Sequence, residues 1–166
     1  MINDGMFTSN KNYWETPQGF FEKLNREFNF ELDVASNGDN AKCERYFTEL
    51  ENGLAQNWRG NVFCNPPYGR EIGNWVKKAY DESLVNTNGV IVLLIPARTD
   101  TRYWHDYIFN KASEIRFLKG RIKFELNGAS KQSAPFPSAV VIYRSNDVGN
   151  SKVTTDDAKE VAEWNN

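Results

Sequence analysis

Apolar positions along the chain fall into segments whose spacing switches between the period of helices and that of strands. After Thr16 and Pro17, the residues Phe20, Phe21, Leu24 and Phe28 recur at helical spacing, so a helix is expected there with Thr16 as its cap and Pro17 at its first position. FELDVA (30–35) alternates apolar and polar before the turn-forming SNGDN and reads as a short strand. NVFC (61–64) reads as a second strand, stopped by Pro66-Pro67. Ile72, Trp75, Val76, Ala79 and Tyr80 return to helical spacing and predict a helix ending near Glu82. GVIVLLIP (89–96) is apolar almost throughout, the pattern of a strand covered on both faces. A further helix is expected over 103–109, and EIRFL (114–118) and SAVVIYR (138–144) read as closing strands. This order predicts an α/β domain, a compact Rossmann-like parallel sheet flanked by helices, with ligands gathering beyond the carboxyl ends of its strands.

Nothing divides the chain. It has no internal repeat, low-complexity tract or linker rich in Pro, Gly or Ser, so residues 1–145 are expected as one domain. Residues 146–166 form an acidic tail, two Lys against five acids, expected as a peripheral helix. At 166 residues a folded chain buries roughly 70% of the surface its unfolded form exposes, which suffices for a core without staples. Cys43 and Cys64 make neither a disulfide framework nor a zinc set, and are expected as plain thiols in a reducing compartment. With a single His and carboxylates that lack ligand spacing, no metal is implied. No apolar run approaches the roughly 20 residues of a membrane span, and MINDGMFTSNKNYW lacks a signal-peptide pattern, so a cytoplasmic location without membrane association is expected. Residues 98–131 hold eight basic against four acidic side chains, a local +4 on a chain of net charge −2. Such a segment is either a footprint for a polyanion or a solvated face.

Asn65-Pro66-Pro67-Tyr68 directly follows the NVFC strand. A rigid turn accounts for the prolines but not for an Asn before them and an aromatic after them at a strand's carboxyl end. A pocket that reacts an exocyclic amine of a nucleobase accounts for all four. The lone pair of such an amine is delocalised into the ring, and the nitrogen becomes nucleophilic when acceptors hold its two N–H groups and favour a pyramidal geometry. The Asn65 side-chain oxygen and the Pro66 carbonyl supply two acceptors. Pro67 removes a competing N–H and biases Pro66 to an extended conformation. Tyr68 offers a flat face, and stacking of a base on an aromatic contributes roughly 1–3 kcal/mol.

This tetrapeptide resembles the signature of amino-group methyltransferases that use S-adenosylmethionine. Trp14-Glu15-Thr16-Pro17, Leu32-Asp33-Val34-Ala35, Asn40-Ala41-Lys42-Cys43, Tyr46-Phe47-Thr48, Asn52-Gly53-Leu54, the tetrapeptide, Pro96-Ala97-Arg98-Thr99-Asp100-Thr101 and Gly120-Arg121-Ile122-Lys123-Phe124 come in the order seen in phage-type DNA N6-adenine methyltransferases, a likeness extending over 14–144. The resemblance implies a methyltransferase α/β sheet, S-adenosylmethionine as cofactor, double-stranded DNA as partner, and a site-specific, phage-encoded enzyme that methylates the N6 amine of a flipped adenine. It implies catalytic roles for Asn65, Pro66, Pro67 and Tyr68. Trp14, Thr16 and Pro17 resemble the motif that closes over the methionine end of the cofactor. Asp33, followed by Ala35, matches the family's cofactor-loop acid, a carboxylate suited to the methionine amine; it also reads as a loop-capping Asp. Asn52 stands where the family more often has an Asp facing the cofactor's adenine amine, so either Asn52 serves with its oxygen or Glu49 or Glu51 substitutes. Phe124 resembles the aromatic that packs on the target base and equally reads as a core Phe. Arg98, Arg102, Arg121 and Lys123 are the candidate DNA contacts, with Trp104 and His105 beside them; His105 is assigned no catalytic role. Two other readings stay open: methylation of cytosine N4, RNA or a protein amide, and a DNA-binding module of the same fold without turnover.

Overall fold

The structure, a computed structural model, describes residues 13–126, 129–130, 133–147 and 149–159. Its helices are α1 (Gln18–Phe28), α2 (Ile72–Ser83) and α3 (Arg102–Tyr107), with a short 3-10 turn at Gly53–Ala55. Its strands are β1 (Leu32–Asp33), β2 (Arg45–Tyr46), β3 (Val62–Cys64), β4 (Val90–Pro96), β5 (Glu114–Lys119), β6 (Glu125–Leu126), β7 (Ala129–Ser130), β8 (Ser138–Arg144) and β9 (Lys152–Asp157). Seven strands form one sheet in the order β2-β1-β3-β4-β8-β5-β9, and β6 and β7 form a separate two-stranded ribbon. β2, β1, β3 and β4 are parallel, whereas β8 runs antiparallel between β4 and β5. The sheet flanked by helices is as expected, but β8 makes it mixed rather than parallel. Two reversals restore direction, so β5 runs with β4, and the carboxyl ends of β1, β3, β4 and β5 open onto one edge.

The apolar run in β4 has the anticipated cause. The strand lies inside the sheet, paired with β3 on one side and with β8 from Val90↔Arg144 to Pro96↔Ser138 on the other. Phe63 packs on Phe21 of α1 with ring centroids 5.2 Å apart. Tyr143 belongs to the opposite face, since its neighbour Ile142 shares a row with Val92 and Phe63, and it meets Tyr80 of α2. Helices therefore cover both faces. Each aliphatic side chain of 91–95 is fully buried, and burial of that kind stabilises by roughly 1.5–3 kcal/mol per side chain.

Two local expectations are corrected. α1 begins one residue later than the sequence suggests: Pro17 is extended (ψ 137°), its carbonyl accepts from Phe21 N at 3.0 Å, and Thr16 makes no capping bond. Residues 152–157, expected within a peripheral helix, form β9 instead, parallel to β5. KVTTDD has no helical apolar stripe, and pairing with an open strand edge satisfies its backbone. Lys23 Nζ also reaches Asp156 Oδ1 at 2.6 Å, which ties this acidic strand to α1. Residues 160–166 of the tail lie outside the described residues. Among the described residues no helix is long and apolar enough to cross a membrane.

Candidate active site

A cleft of about 780 Å³ opens at the carboxyl ends of β1 and β3, walled by residues 13–16, 33–37, 52–54 and 65–71 and by Trp75 of α2. It brings together Trp14, Thr16, Asp33, Ala35, Asn52 and Asn65-Pro66-Pro67-Tyr68, residues far apart in sequence. Parallel pairing of β1 with β3 explains this, because it places the loops after both strands side by side.

Asn65 sits directly after β3. Its Nδ2 donates to the Trp14 carbonyl and to Thr16 Oγ1 at 2.9 Å. A carbonyl can only accept, so this pairing settles which end of the amide is nitrogen. Asn65 Oδ1 is left buried with no hydrogen-bond partner. Buried acceptors are satisfied in the great majority of cases, so an orphan of this kind calls for a ligand donor or a functional explanation.

Tyr68 lines the cleft but is only 4% exposed. Its hydroxyl donates to the Leu94 carbonyl at 2.9 Å, and burial pushes its pKa well above the ordinary tyrosine value. The ring meets Phe136 and Phe124 edge-on, at 5.7 and 6.1 Å. Phe124 itself is fully buried and belongs to this aromatic cluster with Trp14 rather than to the cleft wall. Both Cys side chains are protonated thiols: burial and the nearby Asp33 raise Cys43 to about 12 and Cys64 well above its usual value.

Asp33 ends β1 and is 3% exposed. Its Oδ1 accepts from Ala35 N at 3.2 Å and its Oδ2 from Lys42 N at 3.0 Å. The loop-capping role is therefore present in the structure. Each carboxylate oxygen retains a second lone pair for a ligand. Desolvation raises the Asp33 pKa against the two backbone bonds that lower it, so the ionised form stands to gain from an incoming cation.

Asn52 adopts a left-handed conformation (φ 57°), and its Oδ1 accepts from Leu54 N at 3.2 Å, capping the turn. Of the two suggested substitutes, Glu51 is turned to Thr48, accepting from its N–H and hydroxyl, whereas Glu49 lines the cleft and accepts from the Tyr13 hydroxyl. Gly53 is required by close approach: a Cβ there would lie 2.2 Å from the Val34 carbonyl and 3.0 Å from the Trp75 ring. The turn is anchored from behind by Trp58, whose Nε1 donates to the Gly53 carbonyl at 2.8 Å and whose N–H donates to buried Glu82. Trp75, Trp58 and Glu82 were not expected at the site. A Trp on an amphipathic helix reads as core, and the cleft-lining role of Trp75 and its buried, unpartnered Nε1 emerge only with the tertiary fold.

The basic segment divides. Arg98, Arg102, Arg121 and Lys123 are exposed and lie on or next to the loops that leave β4 and β5, on the same edge of the sheet as the loops after β1 and β3. Arg98 lies over the Phe136 ring at 5.9 Å, and Arg121 Nη1 donates to the Ala134 carbonyl at 3.4 Å. Arg116 is instead consumed within the fold, paired with Glu27 and Glu114 and placed over Phe28. Trp104, suggested as DNA-facing, is fully buried, with its Nε1 donating to the Pro96 carbonyl at 3.3 Å. His105 Nε2 pairs with the Thr99 carbonyl at 2.8 Å, a structural contact. Among the described residues, no group of three or more His, Cys, Asp or Glu side chains is placed to hold a metal.

The chain is similar to two named methyltransferases. The DNA N-6-adenine-methyltransferase of Escherichia phage T1 is 29% identical over 121 residues, covering 71% of this chain and 49% of that enzyme. The Escherichia coli (strain K12) protein named "Putative methyltransferase YfdM" is 43% identical over 63 residues, 33% of this chain and 69% of its own length. The chain thus spans about half the length of the phage relative. A family model described as DNA N-6-adenine-methyltransferase (Dam) matches residues 5–163, and the chain belongs to that family.

Proposed function

We propose that this protein transfers a methyl group from S-adenosylmethionine to the N6 amine of a specific adenine in duplex DNA, after that base has been flipped out of the stack into the cleft at residues 65–68. The observation that carries this reading is the orphaned Asn65 Oδ1, an acceptor held in place by its own amide nitrogen and awaiting a donor. An adenine N6 amine, held between Asn65 Oδ1 and the Pro66 carbonyl, would have both N–H groups engaged and its lone pair released from the ring. A stacked base cannot present that amine, and hence flipping belongs to the proposal.

The cleft suits the cofactor on its own chemistry. Asp33 supplies a buried carboxylate for a cationic amine, and Trp75 supplies an unpartnered donor. Its volume of about 780 Å³ is that of a small-molecule site. When bound, S-adenosylmethionine supplies an electrophilic methyl on a sulfonium centre. Asn65 and Pro66 orient the amine, and Tyr68 fixes the loop through Leu94. The amine becomes cationic on methylation and loses its extra proton to water, so protonated Cys43, Cys64 and Tyr68 are no obstacle. Arg98, Arg102, Arg121 and Lys123 would meet phosphates or base edges along the same edge of the sheet.

The test is incubation with labelled S-adenosylmethionine and unmethylated duplex DNA, followed by nucleoside analysis by mass spectrometry. Labelled N6-methyladenine is the expected product. N4-methylcytosine, label in RNA or protein alone, or cofactor binding without transfer would each overturn the proposal in favour of a different acceptor or a binding module.

A further inference from the structure

The Asn65 amide is not held by its own loop. Both acceptors for its Nδ2 come from the segment before α1, the Trp14 carbonyl and Thr16 Oγ1, which lie 51 and 49 positions earlier in the chain. That segment is itself fastened on three sides. Glu125 N donates to the Glu15 carbonyl at 2.9 Å, the Trp14 ring sits edge-on to Phe124 and Phe136, and the Tyr13 hydroxyl donates to Glu49. Thr16 is 3% exposed, makes no capping bond to α1, and turns its hydroxyl oxygen to Asn65. Thr16 thus lies one position before the helix cap, Pro17, and its hydroxyl is spent on Asn65.

We infer that Thr16 is a positioning residue for Asn65: the Trp14 carbonyl selects the nitrogen end of the amide, the Thr16 hydroxyl oxygen holds that end so that Oδ1 faces the target amine, and this clamp demands Asn rather than Asp at position 65 of this chain. The Trp14 carbonyl can only accept, so the side chain beside it must donate. An ionised Asp has no donor and would set a carboxylate oxygen against that carbonyl. The inference rests on the proposed role of Asn65 and names what orients it.

The experiment measures kcat on unmethylated duplex DNA at saturating S-adenosylmethionine, and cofactor Kd by calorimetry, for Thr16→Val, Thr16→Ser, Asn65→Ala, Asn65→Asp and the Thr16→Val/Asn65→Ala double variant. Thr16→Val keeps the shape and removes the acceptor, and kcat is expected to fall about tenfold, the scale of one buried donor losing a partner, with the loss persisting at saturating S-adenosylmethionine. Thr16→Ser should restore most of that loss. In the Asn65→Ala background Thr16→Val should have no further effect, because it acts through Asn65. Asn65→Asp should lose at least as much as Thr16→Val. The inference is overturned if the two losses multiply, if Thr16→Ser is as damaged as Thr16→Val, if weakened cofactor binding accounts for the loss, or if Asn65→Asp turns over like the parent. Asn65→Ala at the parental rate would refute the role of Asn65 itself; a crippled Asn65→Ala beside a fully active Thr16→Val would refute only the clamp.

Discussion

Replacing Asn65 by Ala separates catalysis from folding in a way that the geometry makes quantitative. The side chain gives two hydrogen bonds through Nδ2 and keeps one buried acceptor without a partner. Two such bonds, at a net of about 0.5–1.5 kcal/mol each, stabilise the fold by about 1–3 kcal/mol. The unsatisfied Oδ1 costs about the same, 1–3 kcal/mol. At central values the terms cancel, and the melting temperature is expected to stay within about 2–4 °C of the parent, the shift that one kcal/mol produces in a domain of this size. Turnover behaves differently. Losing a preorganised group aimed at the reacting centre lowers kcat by roughly 100- to 1000-fold. The assay pairs initial rates at saturating cofactor with thermal melting and calorimetric cofactor binding. A variant that turns over normally would refute the reasoning. So would one whose activity falls only in step with lost stability or lost cofactor affinity, since Asn65 would then be scaffold.

Three other outcomes are expected. Burial raises the Asp33 pKa, and the carboxylate attracts the cofactor's cationic amine only when ionised, so calorimetric affinity should weaken on acidification at a higher pH than an ordinary carboxylate would show; Asp33→Asn should bind weakly and without that pH dependence. Arg102→Ala and Lys123→Ala should each reduce the slope of log affinity for DNA against log salt by about one, whereas Arg116→Ala, whose charge is neutralised by Glu27 and Glu114, should lower stability and leave the slope alone. Desolvation works to raise the Glu82 pKa, but its bonds with Lys78, Trp58 and Arg59 outweigh it and leave the folded value lowered, so the stability it confers is present above the unfolded carboxylate pKa and lost as pH falls through the folded one. Glu82→Gln should therefore melt below the parent at neutral pH, by the equivalent of about 1–3 kcal/mol, and the gap should close in acid.

The order of elements was legible because each strand and helix carries its own period. SAVVIYR (138–144) coincides with β8, and the run before Pro96 gives a central strand because a strand covered on both faces must be apolar at every position. The tetrapeptide was legible for a related reason: Asn, two prolines and an aromatic form a local chemical unit whose backbone restrictions act within the loop itself. Thr16 was misread as a cap because capping is a local rule, and a partner 49 residues away is invisible to it. KVTTDD was misread as helix because its edge pairing is supplied by β5, not by its own side chains.

By itself, then, the sequence determined the α/β class, the strand that ends just before Asn65, and the chemistry available in the loop after it, since all of these follow from backbone preferences and spacing within a few residues. Only the tertiary structure decided which charges remain outward. Arg116 and Arg102 belong to the same basic stretch, yet one is neutralised inside an ion-pair network and the other is exposed. Only the tertiary structure, too, left Asn65 Oδ1 without a partner while satisfying its Nδ2, and sank Trp104 and Phe124 into the core. The reason is physical: hydrogen bonding, ion pairing and burial depend on what other segments bring within a few ångströms, and pairing of β1, β3 and β4 in the sheet brings together segments that the sequence keeps dozens of residues apart.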